Sequence, residues 1–288
     1  MDRALESIPA SASGPWPAPA KLNLMLHVTG QRADGYHELQ TVFQFLTVCD
    51  WLFFDLHEQP GVQLAGQPAG IPASEDLCVR AAALLQEVTK HKAGVMIYNE
   101  KRLPVGGGLG GGSSDAATTL LVLNRLWGLG LPPDELARLG LSLGADVPVF
   151  IQGQAAWAEG VGEILTPVTP PEPWYLVVVP PVSVSTAAIF SDPGLTRDTP
   201  RTRIPDLLAG AGQNDCEAVV RHRYPDVGAA LDWLSAFSHA RMTGTGGCVF
   251  AAFETEADAQ AVAVQVPANW SGFVARGINR SPLLTAME

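Results

Sequence analysis

The chain is poor in positive charge. Its 288 residues carry 18 Lys and Arg against 29 Asp and Glu, a net charge of −11, and only Lys21, Lys90, Lys92 and Lys101 are lysines. A broad nucleic-acid surface needs a basic stripe, and no run supplies one, so no nucleic-acid partner is expected. A small anion is still within reach, because a local nest of backbone N–H groups and one or two cations decides that. Cysteine is scarce too. Cys49, Cys78, Cys216 and Cys248 form no C-x-x-C pair and have no histidine at metal-ligand spacing. That speaks against a zinc site or a disulfide framework and for small buried side chains. No run approaches the roughly 18 consecutive apolar residues of a membrane span. The first twenty residues, with Asp2, Arg3 and Glu6, show no apolar signal region. Hydrophobic residues at 47% and charged residues at 16% exclude a disordered chain. The expectation is a soluble, globular, cytoplasmic protein with no membrane partner.

Residues 8–19 are rich in Pro, Ala and Ser and read as an irregular lead-in. From Lys21 to Val28 the pattern alternates, with Leu22, Leu24, Leu26 and Val28 on one face and Lys21, Asn23, Met25 and His27 on the other. Period two predicts a strand with one face on a core. Asp34-Gly35 marks a turn, and residues 39–56 read as one or two strands. Ser74 opens a helix striped by Leu77, Ala81, Leu84 and Val88, and residues 95–98 read as a strand. A helix striped by Ala116, Leu120, Leu123 and Trp127 ends at Gly128, and a short one over 134–139 closes at Gly140. Pro167, Pro170, Pro171 and Pro173 mark a domain boundary, dividing the chain into 1–166 and 167–288. Beyond it, strands are expected over 174–179, 248–253 and 273–276, and helices over 205–210, 215–223, 226–237 and 256–265. Strands and helices in both halves, without regular alternation, point to an α+β fold in two domains.

Between the strand at 95–98 and the next helix lies Pro104-Val105-Gly106-Gly107-Gly108-Leu109-Gly110-Gly111-Gly112-Ser113-Ser114. Glycine allows tight backbone approach with unhindered N–H groups, and a helix N-terminus adds orphan donors and about half a positive charge. Such a construction binds phosphate. Gly106, Gly108 and Gly111 match G-x-G-x-x-G, but no acidic residue follows at the spacing of a ribose ligand. No lysine follows the last glycine, so the Walker pattern fails too. A tightly packed glycine turn is the bland alternative. Six glycines in the seven residues 106–112 are costly to order, which favours a phosphate site.

Pro104-x-x-x-Gly108-Leu109-Gly110 with Ser113-Ser114 resembles the phosphate loop of the GHMP small-molecule kinases. Residues 17–24 and 243–250 are similar to the superfamily's N-terminal motif and C-terminal glycine motif. The two additional glycines of the loop, Gly111 and Gly112, depart from the wider superfamily, whose serines follow Gly-Leu-Gly directly. Together with Lys21-Leu22-Asn23, residues 32–37 and residues 143–150 they resemble the family of 4-diphosphocytidyl-2-C-methyl-D-erythritol kinases. That resemblance implies a two-domain GHMP fold, with an N-terminal nucleotide-binding domain, a C-terminal ferredoxin-like α/β domain and the active site in the cleft. It implies ATP as phosphoryl donor, magnesium with it, and the cytidyl sugar alcohol as the small-molecule substrate.

The resemblance also implies roles for single residues, each with an ordinary alternative. Lys21 is the catalytic lysine and Asn23 a substrate-side hydrogen-bonding group, where both would otherwise be a solvated strand face. Asp146 is the general base, where it would otherwise be a turn or cap aspartate. Tyr36 and His37 frame the cytosine, with Phe190 on its other side; the alternatives are a finished turn and a core phenylalanine. Asp76 stands where the family pattern has an asparagine near the adenine, so no adenine contact is carried onto it. Residues 104–114 hold ATP, and no metal ligand is named.

Overall fold

The computed structural model describes residues 8–65, 72–204 and 212–288. Two long strands, β1 (Ser13–Gln31) and β2 (His37–His57), form an antiparallel pair that runs through the molecule. Strand β1 therefore begins inside the stretch read as an irregular lead-in. Prolines at 15, 17 and 19 repeat with period two, so their missing donors fall on one edge of the strand. The other edge carries the ladder to β2. Both faces of Lys21–Val28 are buried, rather than one. The leucine face enters a core, and the Lys21 and Asn23 face lines a cleft.

The opposite edge of β2 is shared in turn by β4 (Gly94–Glu100), β5 (Ala156–Glu159) and the C-terminal β10 (Ser271–Ile278). Strand β3 (Val62–Ala65) extends the sheet beyond β4, and β6 (Ile164–Pro167) pairs with β5. Four helices cover this half: α1 (Leu77–Thr89), α2 (Gly111–Leu126), α3 (Pro133–Leu141) and α4 (Val147–Gln152). Helix α1 starts after Ser74. Asp76 caps it, accepting from the amides of Cys78 at 2.8 Å and Val79 at 3.4 Å. The buried stripe is Cys78, Ala81, Ala82 and Leu85, one residue out of phase with the expected one, and Val88 is exposed. Gly128 ends α2 with φ +64°, as the pattern predicts. Gly140 does not end α3; it lies within it. A Cβ there would sit 2.6 Å from Val147 Cγ1, so the glycine lets α4 pack close.

The second half begins with β7 (Trp174–Val179) and the short α5 (Thr186–Phe190). It continues through α6 (Glu217–Arg223), α7 (Pro225–Ser235), β8 (Ala240–Met242), β9 (Val249–Phe253) and α8 (Glu256–Ala263) to β10. The expected helix over 205–210 lies outside the described residues. The spatial order β10-β7-β9-β8, all antiparallel, is the fourth, first, third and second strand of this half. That is the ferredoxin-like arrangement. Because β10 pairs with both β7 and β2, the two halves share one continuous sheet.

Among the described residues this gives three large cores and a small cluster of Met25, Val42 and Trp157. One lies between the first half's sheet and its helices, and another inside the ferredoxin-like layer. The third is the seam, where Leu22, Leu46 and Leu109 meet Tyr175, Val177 and Phe250. The chain end returns across the boundary, for Leu283 of α9 (Pro282–Met287) is buried in the first core.

Candidate active site

A cleft of about 1080 Å³ opens between the halves. The polar face of β1 forms its floor and the glycine-rich segment one wall. Lys21 reaches into it with only 2% of its surface exposed. Its ammonium lies 3.1 Å from Asp146 Oδ2 and donates to Asn23 Oδ1 at 2.5 Å and to the Gly108 carbonyl at 3.1 Å. Three oxygens thus satisfy three donors, and the charge sits 5.3 Å from the Phe43 ring centre. Asp146 stands at the N-cap position of α4 without capping it, so its carboxylate is free for the cleft. Asn23 is oriented from behind, donating to Thr41 Oγ1 at 2.9 Å.

The glycine loop divides into two parts with different surroundings. Gly111, Gly112 and Ser113 form the first turn of α2, and the first intrahelical bond runs from Ser114 N to the Gly110 carbonyl. The three preceding amides are free to face an anion at the dipole's positive end. Gly106, Gly107 and Gly108 instead press on the second glycine segment, residues 243–248. A Cβ at Gly108 would lie 2.4 Å from the Thr243 carbonyl, and one at Gly107 would lie 2.5 Å from Cys248 Sγ. The packed-turn reading thus describes residues 106–108, while residues 111–113 keep the unpaired amides that the phosphate reading asks for. Pro104, Val105 and Ser113 line the cleft. Ser114 is fully buried behind it, its hydroxyl without a partner among the described residues.

Tyr36, His37 and Phe190 line the same cleft. Tyr36 is 64% exposed and follows an Asx turn, its amide donating to Asp34 Oδ1 at 3.1 Å. His37 and Phe190 stack on each other at 5.0 Å between ring centres, 25° from parallel. No base fits between those two rings at that separation, so the expected placing of Phe190 across a base from His37 is not seen in this arrangement.

The model of the GHMP kinases N terminal domain matches residues 76–154, and that of the GHMP kinases C terminal matches 198–272. A 4-diphosphocytidyl-2-C-methyl-D-erythritol kinase from Shewanella piezotolerans is 55% identical over 276 residues, 96% of this chain and 97% of the relative. One from Pseudomonas syringae pv. syringae is 58% identical over 267 residues, 93% of this chain and 95% of the relative. The chain belongs to the 4-diphosphocytidyl-2-C-methyl-D-erythritol kinase family of GHMP kinases. A crystal structure of a 4-(cytidine 5'-diphospho)-2C-methyl-D-erythritol kinase superposes with TM-score 0.78 at 33% identity, covering 91% of this chain and 98% of that one. Homoserine kinase from Cytophaga hutchinsonii shares the fold at TM-score 0.66 and 15% identity, covering 96% of this chain and 97% of that one.

In this GHMP kinase the cleft also holds Lys101, which the sequence leaves equally open as a group near the nucleotide or a surface lysine; its acidic partners Asp50 and Asp115 carry no signal there. Lys101 forms ion pairs with Asp50 and, at 2.7 Å, with Asp115 Oδ2. Asp50 is fully buried, and its Oδ1 accepts from the Arg102 and Leu103 amides at 2.5 and 2.8 Å. Asp115 also accepts from Asn99 Nδ2 at 2.9 Å, while its Oδ1 has no partner among the described residues. Burial pushes the Asp115 carboxyl up to about 7; Lys101 pulls it down and Asp50 adds to the push. Asp50 and Asp115 lie 65 residues apart on a strand and a helix, and no local pattern links them. The four cysteines are free and buried, as expected, and burial pushes the Cys49, Cys216 and Cys248 thiols up to about 12. No helix among the described residues is long and apolar enough to cross a membrane.

Proposed function

We propose that this protein transfers the γ-phosphoryl group of ATP to the 2-hydroxyl of 4-diphosphocytidyl-2-C-methyl-D-erythritol, a cytoplasmic step of non-mevalonate isoprenoid precursor synthesis. The observation that carries this reading is the Lys21–Asp146 pair, 3.1 Å apart, in the cleft that also contains the free amides of α2 and the aromatic group at Tyr36, His37 and Phe190. Residues 1–166 supply the nucleotide loop and Asp146, and residues 167–288 supply Phe190.

Phosphoryl transfer through a loose transition state asks chiefly for alignment and charge stabilisation. The amides of 111–113 and the dipole of α2 hold the phosphates. Lys21 draws the transferring oxygens toward the acceptor and holds the Asp146 carboxylate in place. Asp146 takes the hydroxyl proton. Asn23 shares the Lys21 ammonium and fixes its direction. Tyr36, His37 and Phe190 hold the cytosine.

Among the described residues no three His, Cys, Asp or Glu side chains converge on a metal site. Ser113 and Asp146 line the cleft and are the protein oxygens that would approach a magnesium ion carried on the ATP phosphates. Such an ion would neutralise charge on the phosphates.

The test is ATP consumption with the cytidyl substrate beside mevalonate, homoserine and galactose. Turnover with the first alone supports the reading. Comparable turnover with another alcohol would assign a different GHMP kinase activity, and binding without turnover of any would mark a non-catalytic relative.

A further inference from the structure

Arg197, from the loop after α5, points its guanidinium at the edge of the His37 ring, with Nε 3.0 Å from His37 Nε2. A guanidinium has only donors and stays charged, so the ring nitrogen facing it must accept. An imidazole that accepts at Nε2 is neutral and carries its single proton on Nδ1. The Nδ1 atom has no partner among the described residues, and His37 lines the cleft. Arg197 is itself pinned: it donates to the carbonyls of Leu195 at 3.0 Å, Phe190 at 2.9 Å and Asp192 at 2.8 Å. One side chain thus holds both the His37 edge and the backbone of the ring stacked on it. Of the other charges on the flanking segments, Arg32 pairs with Asp34, Glu38 with Arg201 and Asp192 with Arg223, while Asp198 follows Arg197 directly in the chain.

We infer that Arg197 is a positioning residue that fixes His37 in the Nδ1–H tautomer, so that the cytidyl end of the cleft offers a hydrogen-bond donor to an acceptor atom on the base edge. This rests on the reading of the cleft given under Proposed function. Burial and the Arg197 charge both hold the His37 pKa below its ordinary value, which favours the neutral, single-donor ring. Without Arg197 the ring would titrate nearer its ordinary value of about 6.5 and would sample both tautomers.

The first measurement needs no substrate. Side-chain 15N NMR of His37 in the whole protein should show the Nδ1–H pattern, and Arg197→Met should change it to a mixture with a raised pKa. An Nε2–H pattern in the parent protein, or the same titration in Arg197→Met, overturns the proposal whatever the substrate is. Because Arg197→Met also loosens the 190–197 loop, a second pair keeps the question open to test. Asn places an amide nitrogen near the Nδ1 position and Gln near the Nε2 position. His37→Asn should therefore keep KM for the cytidyl substrate within about tenfold, and His37→Gln should raise it further, with KM for ATP unchanged in both. The reverse ranking contradicts the inference. Normal NMR behaviour with no cytidyl turnover would instead leave the tautomer assignment standing and remove the functional reading.

Discussion

Asp146 is the residue whose chemistry the proposed reaction most depends on, and its place at the start of α4 costs the fold nothing, because it caps no amide there. Asp146→Asn keeps shape and removes the proton acceptor, so kcat should fall by about two to four orders of magnitude while both ligands still bind. Lys21→Ala removes the partner of Asp146, Asn23 and the Gly108 carbonyl together. The double variant should be little worse than the worse single one, since groups acting as a unit are non-additive. Stopped-flow turnover with each variant checks this, and a near-normal kcat for folded Asp146→Asn rejects it as the base. Asp115 gives a prediction of a different kind. Its carboxyl titrates near 7 in the fold, above its value in the unfolded chain, so the fold keeps a proton that the unfolded chain releases. That costs stability progressively from about pH 4 to 7, and fully above that. Asp115→Asn should therefore stabilise the protein more at pH 8 than at pH 5 in urea titrations. An equal difference at both values would mean the carboxyl is not held protonated.

At the scale of elements, the glycine loop separates into a packing part and a part proposed to bind ATP, which substitutions can tell apart. Gly108 has φ +76° and faces the Thr243 carbonyl, and Thr243 Oγ1 in turn accepts from Asn23 N at 3.0 Å and donates to the Gly108 carbonyl at 3.2 Å. Gly108→Ala should destabilise the protein, because the neighbour it meets is backbone and cannot yield. At Gly112 the nearest atom to an added Cβ is Leu77 Cδ1 at 3.4 Å, so Gly112→Ala should keep its melting temperature and lose ATP affinity. Calorimetry beside ATP titration checks both, and the opposite pairing of effects would reassign the two halves of the loop. This division explains what the sequence reading could reach. The glycine run before α2 and the alternation at 21–28 are local patterns, and so they were legible. The contact between residues 106–108 and 243–248 joins segments about 135 positions apart, and the Lys101 cluster joins β2 to α2. Neither leaves a periodic trace. Gly140 misleads for the same reason, because its purpose is a neighbour, Val147, that sequence spacing does not reveal.

The whole molecule is held as one body by a shared sheet and by a chain end that crosses back. Strand β10 belongs to both halves, and Leu283, in the last helix, is 1% exposed in the first core. Leu283→Ala should cost about 2–5 kcal/mol, the range for truncating a buried leucine. Both halves should lose stability together in a single denaturant transition; two separate transitions, with the second half untouched, would show that the seam does not couple them. The seam also bears on function, because Lys21 and Asp146 come from the first half while Phe190 comes from the second. The central claim is that this cleft moves a phosphoryl group from ATP to the cytidyl sugar alcohol. A 31P NMR record of that mixture, with the parent protein and with Asp146→Asn, tests it most directly. The account predicts a new phosphomonoester resonance beside an intact cytidyl diphosphate, growing as ATP becomes ADP and nearly absent with the variant. Loss of ATP without that resonance, or the same resonance at the same rate from Asp146→Asn, would contradict it.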